Sequence, residues 1–94
     1  MRRIKELEAI GERLEEARET RARLLRERSD IEARKLALRH TASLIEKVGT
    51  WGKRSLRFTL AMLVEDEKEN DLAIRAVAHQ LVALEANHHE LKTE

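Results

Sequence analysis

The chain has 94 residues, of which 39% are charged and only 2% aromatic, and it contains neither cysteine nor proline. This composition excludes a disulfide framework and disfavours a β-rich core, because strands are enriched in aromatic and β-branched residues. No apolar run approaches the roughly 20 residues that a membrane-spanning helix requires, so we predict a cytoplasmic protein with no membrane partner.

The first predicted element is one long helix over residues 2–48, which carries an apolar ladder with a period of seven. Residues at that spacing return to the same side of a helix, so they form a stripe that a partner helix must cover. The ladder consists of Ile10, Ala17, Leu24, Ile31, Leu38 and Ile45. Ser29 and Glu32 have capping-box spacing, so a break at Ser29 is the alternative, although the ladder continues through it.

The clearest helix-breaking signal in the chain is Gly49-Thr50-Trp51-Gly52, which predicts a turn over residues 49–52 between two antiparallel helices. A second helix is then expected over residues 53–67. The acidic run that follows is either an exposed helical segment or a loop. The last stretch, residues 71–92, is therefore either a third helix or the continuation of the second.

The second arm contains the most apolar stretch of the chain, Leu56–Val64, with apolar residues around most of the helix circumference. Such a pattern predicts burial on more than one side, which two helices cannot provide and a dimer can. The helix-pairing residues predicted in this arm are Leu60, Leu63, Ile74, Val77 and Leu81. The expected fold is a single all-α domain over residues 1–94. It is a long antiparallel helical hairpin, coiled-coil-like, that dimerises into a helical bundle.

Charge is distributed unevenly although the net charge is only +1. Residues 1–57 hold 16 Lys and Arg against 10 Asp and Glu, a net of +6, whereas residues 58–94 hold 3 against 8, a net of −5. Either the basic arm pairs with the acidic arm, or it offers a basic face to nucleic acid. The candidate nucleic-acid-binding residues are Arg18, Arg21, Arg23, Arg26, Arg28, Arg34, Lys35, Lys53, Arg54 and Arg57.

The run from Arg34 through Gly49, followed by Leu56, Leu60 and Leu63, resembles small accessory proteins of plasmid conjugal transfer, of the TraD and TraC type. In these proteins a charged helical segment precedes an apolar-x-Lys-x-Gly turn and a Leu-rich helix. The similarity covers about residues 34–64. It implies an accessory role in DNA processing, with Lys47, Gly49, Lys53 and Arg54 at the matching turn.

One further pattern bears on chemistry. Glu85 and His88 form a Glu-x-x-His pair on one helix face, the unit that carboxylate-bridged metal bundles use. It occurs once, so a carboxylate–histidine metal site at Glu85 and His88 is only a second alternative, and we expect no cofactor.

Catalytic motifs are not evident. The chain is similar in length and arginine content to all-α chorismate mutases. In those enzymes an Arg is followed at set spacings by a second Arg and then a Lys. This chain lacks that pattern, because Lys35 and Glu46 stand at those spacings after Arg18.

The sequence therefore predicts a non-catalytic, helical protein-interaction and oligomerisation module. Its expected partners are a second copy of itself, as a homodimer, and a larger protein. The alternative is a nucleic-acid-associated accessory protein that binds DNA through its Arg-rich helix.

Overall fold

The computed structural model describes residues 2–45 and 50–93, and all of these residues are helical. The first helix, α1, covers Arg2–Ile45, and the second, α2, covers Thr50–Thr93. The two helices pack against each other as an antiparallel hairpin, which is shown by ion pairs whose residue numbers rise in α1 as they fall in α2. This confirms the predicted all-α hairpin.

The helix boundaries differ from the prediction in the second arm. α2 is continuous through the acidic run at residues 65–71, so the arm is not divided. It also begins at Thr50, so residues 50–52 lie in the helix and not in the predicted turn. Threonine favours helix N-termini, and the glycine at position 52 then falls in the first turn, where backbone N–H groups have no intrahelical partner in any case.

α1 passes through Ser29 without a break, as the continuous apolar ladder indicates. Its last described residue is Ile45. The predicted end of the first helix at Val48 lies outside the described residues, together with Lys47 and Gly49.

The chain divides into two compact units. Unit 1 comprises Met1–Leu25 and Leu72–Glu94. Its core is an apolar cluster contributed by both helices, and Ile10, Ala73 and Ile74 pack against it. The buried members are Leu14, Ala17, Leu24, Val77, Leu81 and Leu84. Burial of each leucine or valine side chain in this cluster stabilises the folded chain by roughly 1.5–3 kcal/mol.

Unit 2 comprises Arg26–Asp71 and has a different interior. Leu63 is the one buried apolar side chain among its described residues, and Asn70 is buried beside the charged part of the seam. Arg28, Lys35 and Glu67 are half-buried there. Polar groups therefore occupy positions that apolar groups hold in unit 1.

Candidate functional site

The predicted helix-pairing residues mostly lie where α1 and α2 meet within one chain. Buried among them are Ala17, Leu24, Leu63, Val77 and Leu81, and half-buried are Ile10, Ile31, Leu38 and Ile74. Leu60 is 38% exposed, and the side chain of Ile45 lies outside the described residues. The seam is therefore occupied inside the hairpin, and the faces of the helices that remain open to a partner lie elsewhere.

Two buried apolar residues were not among those predicted, namely Leu14 and Leu84. Both continue the heptad spacing of their own helix. Leu14 is seven residues after Leu7 and lies four residues after Ile10, and Leu84 is seven residues after Val77. The signal was therefore present in the spacing.

Ion pairs join the two helices along the seam of unit 2. The Lys35 Nζ donates a hydrogen bond to the Glu67 Oε2 at 2.8 Å, and both side chains are about three-quarters buried, with exposures of 22% and 26%. Arg28 pairs with Asp71 and also approaches Glu32, one turn away on its own helix, at 3.5 Å. These pairs link the basic arm to the acidic arm.

The environment of Glu67 alters its acidity. The hydrogen bond from Lys35 lowers the pKa of the Glu67 carboxyl below its ordinary value of 4.5, and the charges of Lys35 and Arg28 add to the effect. Partial desolvation acts in the opposite direction and is outweighed. Glu67 is therefore charged at neutral pH and pairs with Lys35 at the seam.

Another ion pair between the helices lies in unit 1. The Arg18 Nη2 lies 3.8 Å from the Glu85 Oε1, and both side chains are more than half exposed. Arg18, Arg28 and Lys35 thus pair with acidic residues of α2, in agreement with the charge-pairing interpretation. The other candidate nucleic-acid-binding residues are exposed: Arg21, Arg23, Arg26, Arg34, Lys53, Arg54 and Arg57.

The Glu85–His88 pair lies beside a shallow groove that is also lined by Gly11, Leu14 and Arg18. Glu85 faces Arg18 across this groove. No group of three or more histidine and carboxylate side chains gathers among the described residues in a way that would hold a metal ion. The described residues of one chain therefore do not by themselves complete the carboxylate–histidine site.

Several large apolar side chains remain exposed after the hairpin forms. They are Ile4, Leu25, Leu36, Phe58, Leu60, Met62, Leu72 and Val82. In unit 2, Phe58 is 68% exposed and Met62 is 53% exposed, and they are four residues apart. Side chains at that spacing are neighbours on a helix surface, so they form one apolar patch.

We call the surface around this patch the outer α2 face and define it by Arg54, Phe58, Ala61, Met62 and Glu65. These residues succeed one another at spacings of one, three and four, so they share one side of α2. All five are exposed, whereas Leu63, which marks the seam, is buried. The outer α2 face thus has Arg54 at its N-terminal end, apolar side chains in its middle and Glu65 at its C-terminal end, where the exposed Glu65 carboxylate also lies 3.3 Å from the Nζ of Lys68 on the same helix.

No family model, no curated protein and no solved structure matches this chain. Neither α1 nor α2, over the residues described, contains a stretch long and apolar enough to cross a membrane. The exposed faces and the charge pairs are the observations that bear on function.

Proposed function

We propose that this chain is a non-catalytic helix-pairing module whose first partner is a second copy of itself, and that it acts in the cytoplasm. A two-helix hairpin has no enclosed interior, and small domains with limited cores are commonly completed by association. A homodimer is the simplest closed assembly because one self-complementary patch is enough to form it.

The observation that carries this proposal is the placement of apolar side chains in unit 2. Leu63 is buried, whereas Leu36, Phe58 and Met62 are each more than half exposed. Exposed aromatic and methionine side chains are enriched at the centres of protein interfaces. A protein partner that covers them removes apolar surface from water, which favours association.

The test is the mass of the purified full-length chain in solution, measured by sedimentation equilibrium over a range of concentrations. The chain has a mass of 10.9 kDa. The proposal predicts a concentration-dependent rise toward twice that value. A mass that stays at 10.9 kDa at every concentration contradicts self-association.

A second candidate function rests on the exposed basic residues. Lys53, Arg54 and Arg57 lie within the first turns of α2, and Arg26 and Arg34 are exposed on α1. Arginine suits phosphate recognition because its guanidinium group presents paired donors. Such a chain would serve as a DNA-processing accessory protein, as the resemblance to the conjugal-transfer proteins implies.

Fluorescence anisotropy of a short labelled DNA duplex tests this second function. If it holds, affinity falls steeply as salt is raised, because each phosphate contact releases counterions. Arg34→Gln should then reduce affinity more than Arg18→Gln, since Arg18 is already paired with Glu85. Absence of binding at low salt contradicts this function and leaves the first untouched.

A further inference from the structure

The outer α2 face is self-complementary in charge. Arg54 lies at its N-terminal end and Glu65 at its C-terminal end, with Phe58 and Met62 between them. A patch with this order of basic, apolar and acidic groups matches a second copy of itself only when the copy runs in the opposite direction. A parallel copy would place Arg54 beside Arg54 and Glu65 beside Glu65.

We infer that two chains associate through their outer α2 faces, with the two copies of α2 antiparallel about a two-fold axis at the level of Leu60. This inference rests on the proposed self-association and specifies the surface that performs it. Phe58 lies two residues before Leu60 and Met62 two residues after it. Phe58 of one copy therefore packs against the methionine of the other, and the contact occurs twice.

The same axis brings the charged ends together. Arg54 lies six residues before Leu60 and Glu65 five residues after it. The mismatch of one residue is about 1.5 Å along the helix, well within the reach of an arginine side chain. Each dimer thus gains two ion pairs between copies at the rim of an apolar centre, the arrangement that is common in protein interfaces.

The outer α2 face is small, so the dimer is expected to be a weak one that dissociates on dilution. Its salt dependence should be modest, because rim charges are screened by salt while the apolar centre is not.

The first test compares two variants of the full-length chain by sedimentation equilibrium. Phe58 and Val82 are both 68% exposed, but only Phe58 lies on the outer α2 face. Phe58→Glu should raise the dissociation constant by more than about tenfold, because it places a charge at the interface centre. Val82→Glu should change it by less than about twofold, and both variants should keep wild-type helicity by circular dichroism.

The second test exchanges the charges at the rim. Arg54→Glu alone and Glu65→Arg alone should each weaken the dimer, because each places like charges opposite one another. The double variant, Arg54→Glu with Glu65→Arg, should restore the wild-type dissociation constant. Failure of the double variant to recover overturns the antiparallel arrangement.

The outcomes separate this inference from the proposed function. A wild-type chain that is monomeric at all concentrations contradicts both. A wild-type dimer whose dissociation constant is unchanged by Phe58→Glu overturns the inference alone, and self-association then uses another surface.

Discussion

Unit 1 and unit 2 contain the same two helices but use them differently. In unit 1 the seam is apolar, and six buried side chains form one cluster. In unit 2 the seam contains Arg28, Lys35, Glu67 and the buried Asn70, while Phe58 and Met62 lie outside. We infer that the apolar seam of unit 1 contributes most to the stability of the hairpin. The charged seam of unit 2 restricts how the two helices pair, and unit 2 also carries an exposed apolar surface.

Polar groups at a helix seam lower stability relative to apolar ones, yet they restrict the registers in which the helices can pair. A shift of one heptad in unit 2 would separate Lys35 from Glu67 and Arg28 from Asp71, leaving half-buried charges without their partners. An apolar seam alone discriminates poorly between such registers. The charged seam is therefore expected to matter more for the uniqueness of the hairpin than for its free energy of unfolding.

The largest effect should come from the apolar seam of unit 1. Leu81 is 3% exposed, so Leu81→Ala should lower the free energy of unfolding by about 2–5 kcal/mol, measured by chemical denaturation at fixed protein concentration. Leu72→Ala is the matched control, because Leu72 is exposed in the same unit. Equal losses in the two variants would contradict the assignment of the core to this seam.

The charged seam of unit 2 should respond differently to single and double replacement. Lys35→Leu alone leaves Glu67 partly buried without its hydrogen-bond donor, so it should lower the denaturation midpoint. Lys35→Leu combined with Glu67→Leu should recover most of that loss or exceed the wild type, because both desolvated charges are gone. If the double variant is less stable than either single variant, the ion pair is a net source of stability and the proposed role in specificity is wrong.

Acid should weaken unit 2 through Glu67. Its pKa in the folded chain is lowered below 4.5, so its contribution to stability is present above that value. The contribution is lost as the pH falls from 4.5 through the lowered folded pKa, because the carboxyl then binds a proton and releases Lys35. Thermal unfolding across this window should be less pH-dependent in Glu67→Gln than in the wild type, and an unchanged dependence would contradict the role of Glu67.

The smallest effect should come from the exposed pair in unit 1. Arg18 and Glu85 are both more than half exposed and 3.8 Å apart. Exposed pairs of this kind are screened by water and salt, so Glu85→Gln should change the free energy of unfolding by less than about 0.5 kcal/mol. A larger loss in chemical denaturation would place this pair among the groups that set stability.

The sequence predicts the part of the fold that depends on apolar spacing. Every ladder residue from Ile10 to Leu38 is buried or half-buried, and so are the spaced apolar residues from Ile74 to Leu81 in α2. The contact between Glu67 and Lys35 is predictable from the sequence, because a bend at the middle of the chain places the acidic run opposite the basic part of the first helix. The burial of Asn70 was missed, because a search for apolar periodicity does not register polar seam residues.

Two other features depend on the partner helix and could not be predicted from one helix. The mostly apolar stretch Leu56–Val64 does not indicate which side chains α1 covers. In the structure α1 buries Leu63 and leaves Phe58 and Met62 exposed. The start of α2 at Thr50 was likewise not predicted, because the two glycines at 49 and 52 made a four-residue turn the simpler interpretation.

The most direct test of the central claim measures distances between two copies of α2. The chain has no cysteine, so one introduced cysteine carries one spin label per copy. Ala61 and Lys68 lie on the same side of α2, one and eight residues beyond Leu60. In the antiparallel dimer, labels at Lys68→Cys should be farther apart than labels at Ala61→Cys, with the separation along the helix axis rising from about 3 Å to about 24 Å. Equal distances at the two positions, in labelled chains that sedimentation equilibrium shows to be dimeric, would contradict antiparallel association through the outer α2 face.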